Sequence, residues 1–212
     1  MQVEIWSDVV CPWCYIGKRH LEAALADFEH ADEVEVVWRS FELDPAAPGV
    51  REGRYVERLA RKYRTSVEGA QGMVDRMTAA GAQAGLDLRF DLVRSGNTFD
   101  AHRLIHLAAA RGIQDRVEER LLAATFTEGE PIADHAALAR LGVEAGLDPD
   151  EVTEVLASGA FADEVRADER RATEIDVTGV PYFLIDGRGI GGAQPPETLL
   201  RVLRRAWEAR VS

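Results

Sequence analysis

The chain has 212 residues, 46% of them hydrophobic, which is enough to bury a sizeable core as one or two domains. A formal net charge of -12 argues against nucleic acid or an anionic membrane surface as partner, because both would repel the chain at long range. No apolar run approaches the ~18 residues of a membrane span, and the start at Met1-Gln2-Val3-Glu4 has neither the basic nor the apolar stretch of a secretory leader, so a soluble cytoplasmic protein is expected.

Val3 and Ile5 alternate with Glu4 and predict a first strand ending near Asp8. A helix should follow at once: Pro12 suits a first helical position, where its missing N–H costs nothing, and Leu21, Ala24, Leu25 and Phe28 recur on one face. Residues 34–40 read as a second strand, with Val34, Val36 and Trp38 on one side and Glu35, Val37 and Arg39 on the other. The resulting β-α-β unit predicts a parallel pair with a right-handed crossover.

After Asp44-Pro45-Ala46-Ala47-Pro48-Gly49 the character changes. From about Tyr55 to Thr173 the chain is rich in Ala, Leu, Arg and Glu, with breaks at Gly85, Ser95-Gly96-Asn97, Gly112, Gly129-Glu130-Pro131 and Gly146-Leu147-Asp148-Pro149, so several helices are expected. The strand pattern returns at Val180-Pro181-Tyr182-Phe183-Leu184-Ile185. Asp186-Gly187 is a hairpin turn, and Gly189-Ile190-Gly191-Gly192 can supply the partner strand. Pro195-Pro196-Glu197 opens a last helix with Leu199, Leu203 and Trp207 as its inner stripe. The layout is α/β: residues 1–48 and 174–212 form one discontinuous domain, and residues 49–173 are a helical insertion.

Both cysteines of the chain lie in Cys11-Pro12-Trp13-Cys14, just past a strand and opening a helix. A disulfide across two residues closes too small a loop to stabilise much, so redox chemistry explains the pair better than structure does. At the start of the helix, free N–H groups and the positive end of the dipole favour negative charge on the Cys11 sulfur, which makes Cys11 the nucleophile. Cys14, almost one turn on, can reach back to resolve a mixed disulfide and should be the more buried. Two bland readings compete: ordinary buried thiols, or half of a zinc site completed by His102 and His106. Those histidines stand one turn apart on a predicted helix, but far along the chain. Asp8 could relay a proton to Cys14 from beneath, although a strand-end aspartate commonly bonds its own turn. In Thr178-Gly179-Val180-Pro181 the proline heads a strand that must be central. Such a proline is tolerated at a first strand position or through a cis bond, and a plain loop proline is the competing reading.

Taken together, Ser7-Asp8-Val9-Val10-Cys11-Pro12-Trp13-Cys14-Tyr15-Ile16-Gly17-Lys18, Ser40-Phe41-Glu42-Leu43-Asp44-Pro45, Asn97-Thr98-Phe99-Asp100-Ala101-His102-Arg103, Thr178-Gly179-Val180-Pro181-Tyr182-Phe183 and Gly192-Ala193-Gln194-Pro195 resemble the DsbA-like thioredoxin-fold family, within it the FrnE-type cytoplasmic disulfide oxidoreductases. The resemblance spans nearly the whole chain. It implies a thioredoxin fold interrupted by a helical domain, and a cis Val180–Pro181 peptide packed against the active-site pair. It also implies that the segment with Asn97 and His102 faces the active site; on the oxidoreductase reading Val180-Pro181 presents backbone to an extended substrate, and Trp13 either offers the substrate an apolar face or simply packs over the helix start. Asn97 with Asp100 reads equally as a helix N-cap pair. DsbA itself carries a histidine where this chain has Trp13, so a less oxidising disulfide is expected.

Three functions remain open. The first is a thiol-disulfide oxidoreductase acting on protein or small-molecule thiols together with an unidentified redox partner. The second is a glutathione-dependent isomerase or transferase of the 2-hydroxychromene-2-carboxylate isomerase or kappa-class glutathione transferase type. Those relatives typically carry a serine where this chain has Cys11 and need no resolving thiol. The third is a non-catalytic binding module, which would leave the positioned pair unexplained. No metal or prosthetic group is expected beyond the Cys11–Cys14 pair, with glutathione as a candidate co-substrate and a monomer or homodimer as the assembly.

Overall fold

A computed structural model describes residues 1–49 and 51–211. Its sheet has the order β2-β1-β3-β4, built from β1 (Gln2–Ser7), β2 (Glu35–Ser40), β3 (Tyr182–Ile185) and β4 (Arg188–Gly191). β1 pairs parallel with β2, with Ile5 opposite Trp38, and antiparallel with β3, with Ile5 opposite Phe183. β1 is therefore central, and Val3 through Ser7 are all buried, as a strand covered on both faces requires. The β3–β4 connection is a two-residue hairpin with Asp186 at φ 48° and Gly187 at φ 82°, the left-handed pair that matches strand twist.

Helix α1 (Pro12–Ala26) supplies the crossover between β1 and β2. Among the described residues the inserted region forms α2 (Tyr55–Tyr63), α3 (Val67–Gln83), α4 (Phe99–Ala110), α5 (Gln114–Ala123), α6 (His135–Glu144), α7 (Pro149–Ala157) and α8 (Ala162–Glu174), with a π-helical turn at Ala124–Glu128. Helix α9 (Pro196–Val211) closes the chain and packs on α1.

One apolar cluster joins Val3 and Ile5 of β1, Leu21 of α1, Trp38 of β2, Leu104 and Ile105 of α4, Leu121 of α5, Phe183 of β3 and Leu199 and Leu203 of α9. The sheet and the inserted helices thus share a core. The N-terminal part of α1 faces a second cluster, where Tyr15 and Ile16 meet Val74 and Met77 of α3, Phe90, and Leu122 and Phe126. Helix α8 covers the opposite sheet face through ion pairs. Glu4 of β1 accepts from Arg39 and Arg171, and Asp168 accepts from the Ser40 N–H at 3.0 Å and from Arg39 at 3.2 Å. Among the described residues no helix is long and apolar enough to cross a membrane.

Candidate active site

Cys11 stands immediately before α1 in extended backbone, with Pro12 at the first helical position. Its N–H donates to the Asp8 carbonyl at 2.9 Å and the Cys14 N–H donates to the Cys11 carbonyl at 3.0 Å, so the end of β1 turns straight into the helix. Among the described residues no side chain caps this end, and its free N–H groups and dipole act on the Cys11 side.

Both cysteines are free thiols. Cys14 is the more buried, at 1% exposure, but Cys11 at 4% is not the open helix end that its sequence position suggests. The reason is the loop before β3. The Cys11 Sγ donates to the Val180 carbonyl at 3.5 Å, and the following Val180–Pro181 peptide is cis. Pro181 seats on α1 at Gly17, where an added Cβ would come within 3.0 Å of Pro181 Cγ and 3.3 Å of Phe183 Cζ. Glycine is what permits that approach. Trp13, between the two cysteines, is 41% exposed and forms the outer surface beside them.

Burial pushes the Cys14 thiol well above its ordinary value, reinforced by the hydrogen bond and charge of Cys11 and opposed by the Asp8 backbone and the Ser7 hydroxyl. Ser7 leads inward: its hydroxyl donates to Glu118 Oε1 of α5 at 2.7 Å. Glu118 is 1% exposed, and burial pushes its carboxyl up to about 7, tempered by Ser7, His102 and Lys18. Sequence reasoning passed over this residue. The available signal was a glutamate on the apolar face of a helix, three and four residues before Leu121 and Leu122.

Asp8 is buried, and its carboxylate is engaged by groups other than Cys14. It accepts from the Leu43 N–H at 2.8 Å and the Val10 N–H at 3.4 Å and lies 3.6 Å from His102 Nε2. His102 is buried behind it at 1% exposure. Burial disfavours its charge, but Asp8, Glu118 and Glu42 outweigh that and raise its pKa. His106, the other histidine weighed as a zinc partner, contacts Ser40 and Asp168, each at 3.1 Å. Asn97 accepts from the Phe99 N–H at 2.9 Å and donates from its side chain to the Pro45 carbonyl at 3.3 Å, tying the loop after β2 to the start of α4.

A thioredoxin-type sheet with two thiols at the head of its first helix defines a class of protein. The sequence profile of the DSBA-like thioredoxin domain matches residues 2–204, and the chain belongs to that family. It is similar to the uncharacterized protein YwbO of Bacillus subtilis (strain 168), with 28% identity over 195 residues, 91% of this chain and 90% of that protein. The crystal structure of a probable DsbA oxidoreductase, SCO1869 from Streptomyces coelicolor, superposes with a TM-score of 0.93 at 45% identity, covering 98% of this chain and 90% of that one. A 2-hydroxychromene-2-carboxylate isomerase matches with a TM-score of 0.67 over 100% of both chains, but at 14% identity, a likeness of fold alone.

Proposed function

We propose that this protein is a thiol-disulfide oxidoreductase in which Cys11 attacks and Cys14 resolves, acting on protein or small-molecule substrates in the cytoplasm. The observation that carries the reading is the pair itself: two free thiols within one helical turn, unequal in burial, with the outer one at an uncapped helix N-terminus.

In the direction of substrate reduction, the Cys11 thiolate attacks one sulfur of a disulfide, forming a mixed disulfide and releasing the other sulfur as a thiolate. Cys14 then loses its proton towards Ser7 and Glu118 and attacks the Cys11 sulfur. The Cys11–Cys14 disulfide forms, and the second substrate thiolate leaves and takes a proton from solvent. Two electrons pass from the protein to the substrate, and oxidation of a substrate dithiol is the same path reversed. Pro181 keeps the Val180 carbonyl beside the reacting sulfur, where it can align an extended substrate backbone, and Trp13 offers an apolar face at the rim. His102 and Asn97 act behind the site, through Asp8 and through the loop after β2. An isomerase or transferase mechanism leaves the resolving thiol without a task.

Mild oxidation followed by intact-mass measurement tests the reading. A loss of two hydrogens per chain, reversed by dithiothreitol and accompanied by catalysed insulin reduction, is expected. Exclusively intermolecular bridges, or glutathione-dependent turnover that survives Cys14→Ser, would overturn it.

A further inference from the structure

A cavity of about 690 Å³ opens beside the loop that leads into Cys11, walled on one side by Asp8 and Val10 of that loop and on the other by α2. Tyr55, at the start of α2, also lines it and interacts electrostatically with Cys11. The volume is that of a small-molecule site.

Its charge runs against that of the chain. Arg51, Arg58, Arg61 and Lys62 line the cavity in a protein whose formal charge is -12. Of the lining carboxylates, Asp44 is paired with Arg51, and Asp8 is held by the Leu43 N–H and lies against His102. Glu57, on α2, is taken up by the backbone and side chain of Arg54. Among the described residues Arg58, Arg61 and Lys62 have no carboxylate at ion-pair distance, the Glu57 charge acting on Arg58 and Arg61 only from farther away, and the lining acid Glu52 is likewise unpaired. Arg58 is half-buried and fixed: its guanidinium donates to the Gly53 and Val93 carbonyls and lies over the Tyr55 ring. Burial lowers its pKa, reinforced by the neighbouring charges of Arg51 and Arg61 and opposed by Tyr55 and Glu57.

Resting on the oxidoreductase reading above, we propose that this cavity selects small thiols and disulfides bearing carboxylates, with Arg58, Arg61 and Lys62 holding the anionic groups while the substrate sulfur meets Cys11. Selectivity of this kind would be lost for neutral or cationic disulfides of the same size. Arginine forks suit carboxylates, and charges lining a concave wall focus the field more strongly than the same charges on an open face.

The test is single-turnover oxidation of the reduced protein by dithiodiglycolate, a dianion, and by cystamine, a dication, followed by quenched mass measurement, so no regenerating reductant is required. The wild type should prefer the dianion at low salt and lose that preference as salt is raised. In Arg58→Gln the ratio of the two rate constants should fall by about tenfold. Because Arg58 also ties down two carbonyls, the double variant Arg61→Glu, Lys62→Glu, at exposed positions, provides a second arm and should reverse the preference. Arg205→Gln, which removes a positive charge outside the cavity, should leave the ratio as it is. A wild-type ratio retained in both cavity variants, or an equal shift in Arg205→Gln, would overturn the proposal and leave the oxidoreductase reading intact. Failure of every disulfide to oxidise the wild type would overturn both.

Discussion

The Ser7 hydroxyl donates a 2.7 Å hydrogen bond to Glu118, joining the last residue of β1 to a carboxyl on α5 that is shut off from solvent. Ser7 also faces the Cys14 thiol, so the inserted helices supply a titratable group to the thioredoxin site.

That link has a pH signature. Glu118 ordinarily titrates near 4.5 and here near 7, so between those values the folded state holds a proton that the unfolded chain has released, and stability falls as pH rises through the window. The raised pKa of His102 acts in the same direction at the alkaline end, since its contribution is present below its unfolded value and lost as pH rises through the folded one. Glu118→Gln keeps an acceptor for Ser7 while abolishing the titration. It should remove roughly 3 kcal/mol of the pH-dependent loss of stability, measured by urea unfolding of the reduced protein at several pH values. In the same variant the resolving step should slow while formation of the mixed disulfide does not. An unchanged stability profile would remove Glu118 from the titration.

The two thiols should react unequally. Cys14 is held protonated by burial and by its partner, whereas Cys11 is the less buried and sits at the helix start. Below neutral pH, iodoacetamide should label Cys11 well before Cys14, read by peptide mass mapping. Cys14→Ser should accumulate substrate adducts on Cys11, and Cys11→Ser should trap almost none. Equal labelling, or equal trapping, contradicts the assigned roles.

Gly17→Ala separates helix propensity from packing. In an exposed helix the change would gain about 1 kcal/mol, but here the new methyl meets Pro181 Cγ at 3.0 Å and Phe183 Cζ at 3.3 Å. Overpacking of this kind typically costs about 1–3 kcal/mol. A net destabilisation on the order of 1 kcal/mol is expected by thermal unfolding, together with slower mixed-disulfide formation as the Val180–Pro181 loop is displaced from Cys11. A more stable protein with unaltered rates would show that the loop yields freely.

Asp168→Ala tests what holds α8 to the sheet. The buried carboxylate accepts from the Ser40 N–H and faces Arg39 and His106, so its removal leaves the backbone donor unpaired while Arg39 keeps Glu4 as its remaining carboxylate. A loss of about 1–3 kcal/mol is expected, the cost of a buried donor left unsatisfied. Iodoacetamide labelling of Cys11 in the folded variant should be unaltered, because Asp168 lies on the face of the sheet opposite α1. A loss below about 1 kcal/mol would mean that water replaces the carboxylate.

The amino-acid sequence alone determined the local elements and the reacting pair. Alternation at Val3 to Ile5, Pro12 at a first helical position and the Asp186-Gly187 turn each follow from backbone sterics and periodicity within a few residues. The Cys-Pro-Trp-Cys spacing likewise needs only one helical turn to bring two sulfurs together. What surrounds the pair was decided by tertiary structure. Cys11 is covered by a loop from the far end of the chain. The buried carboxyl linked to Cys14, through Ser7, is Glu118 on α5, whereas the carboxylate of the adjacent Asp8 is held by the Leu43 N–H and lies against His102. The arginines of α2 gain meaning only when the fold sets them across a cavity from Val10. Burial and through-space charge shift these groups, and both depend on contacts between residues far apart in the chain, which no local pattern encodes.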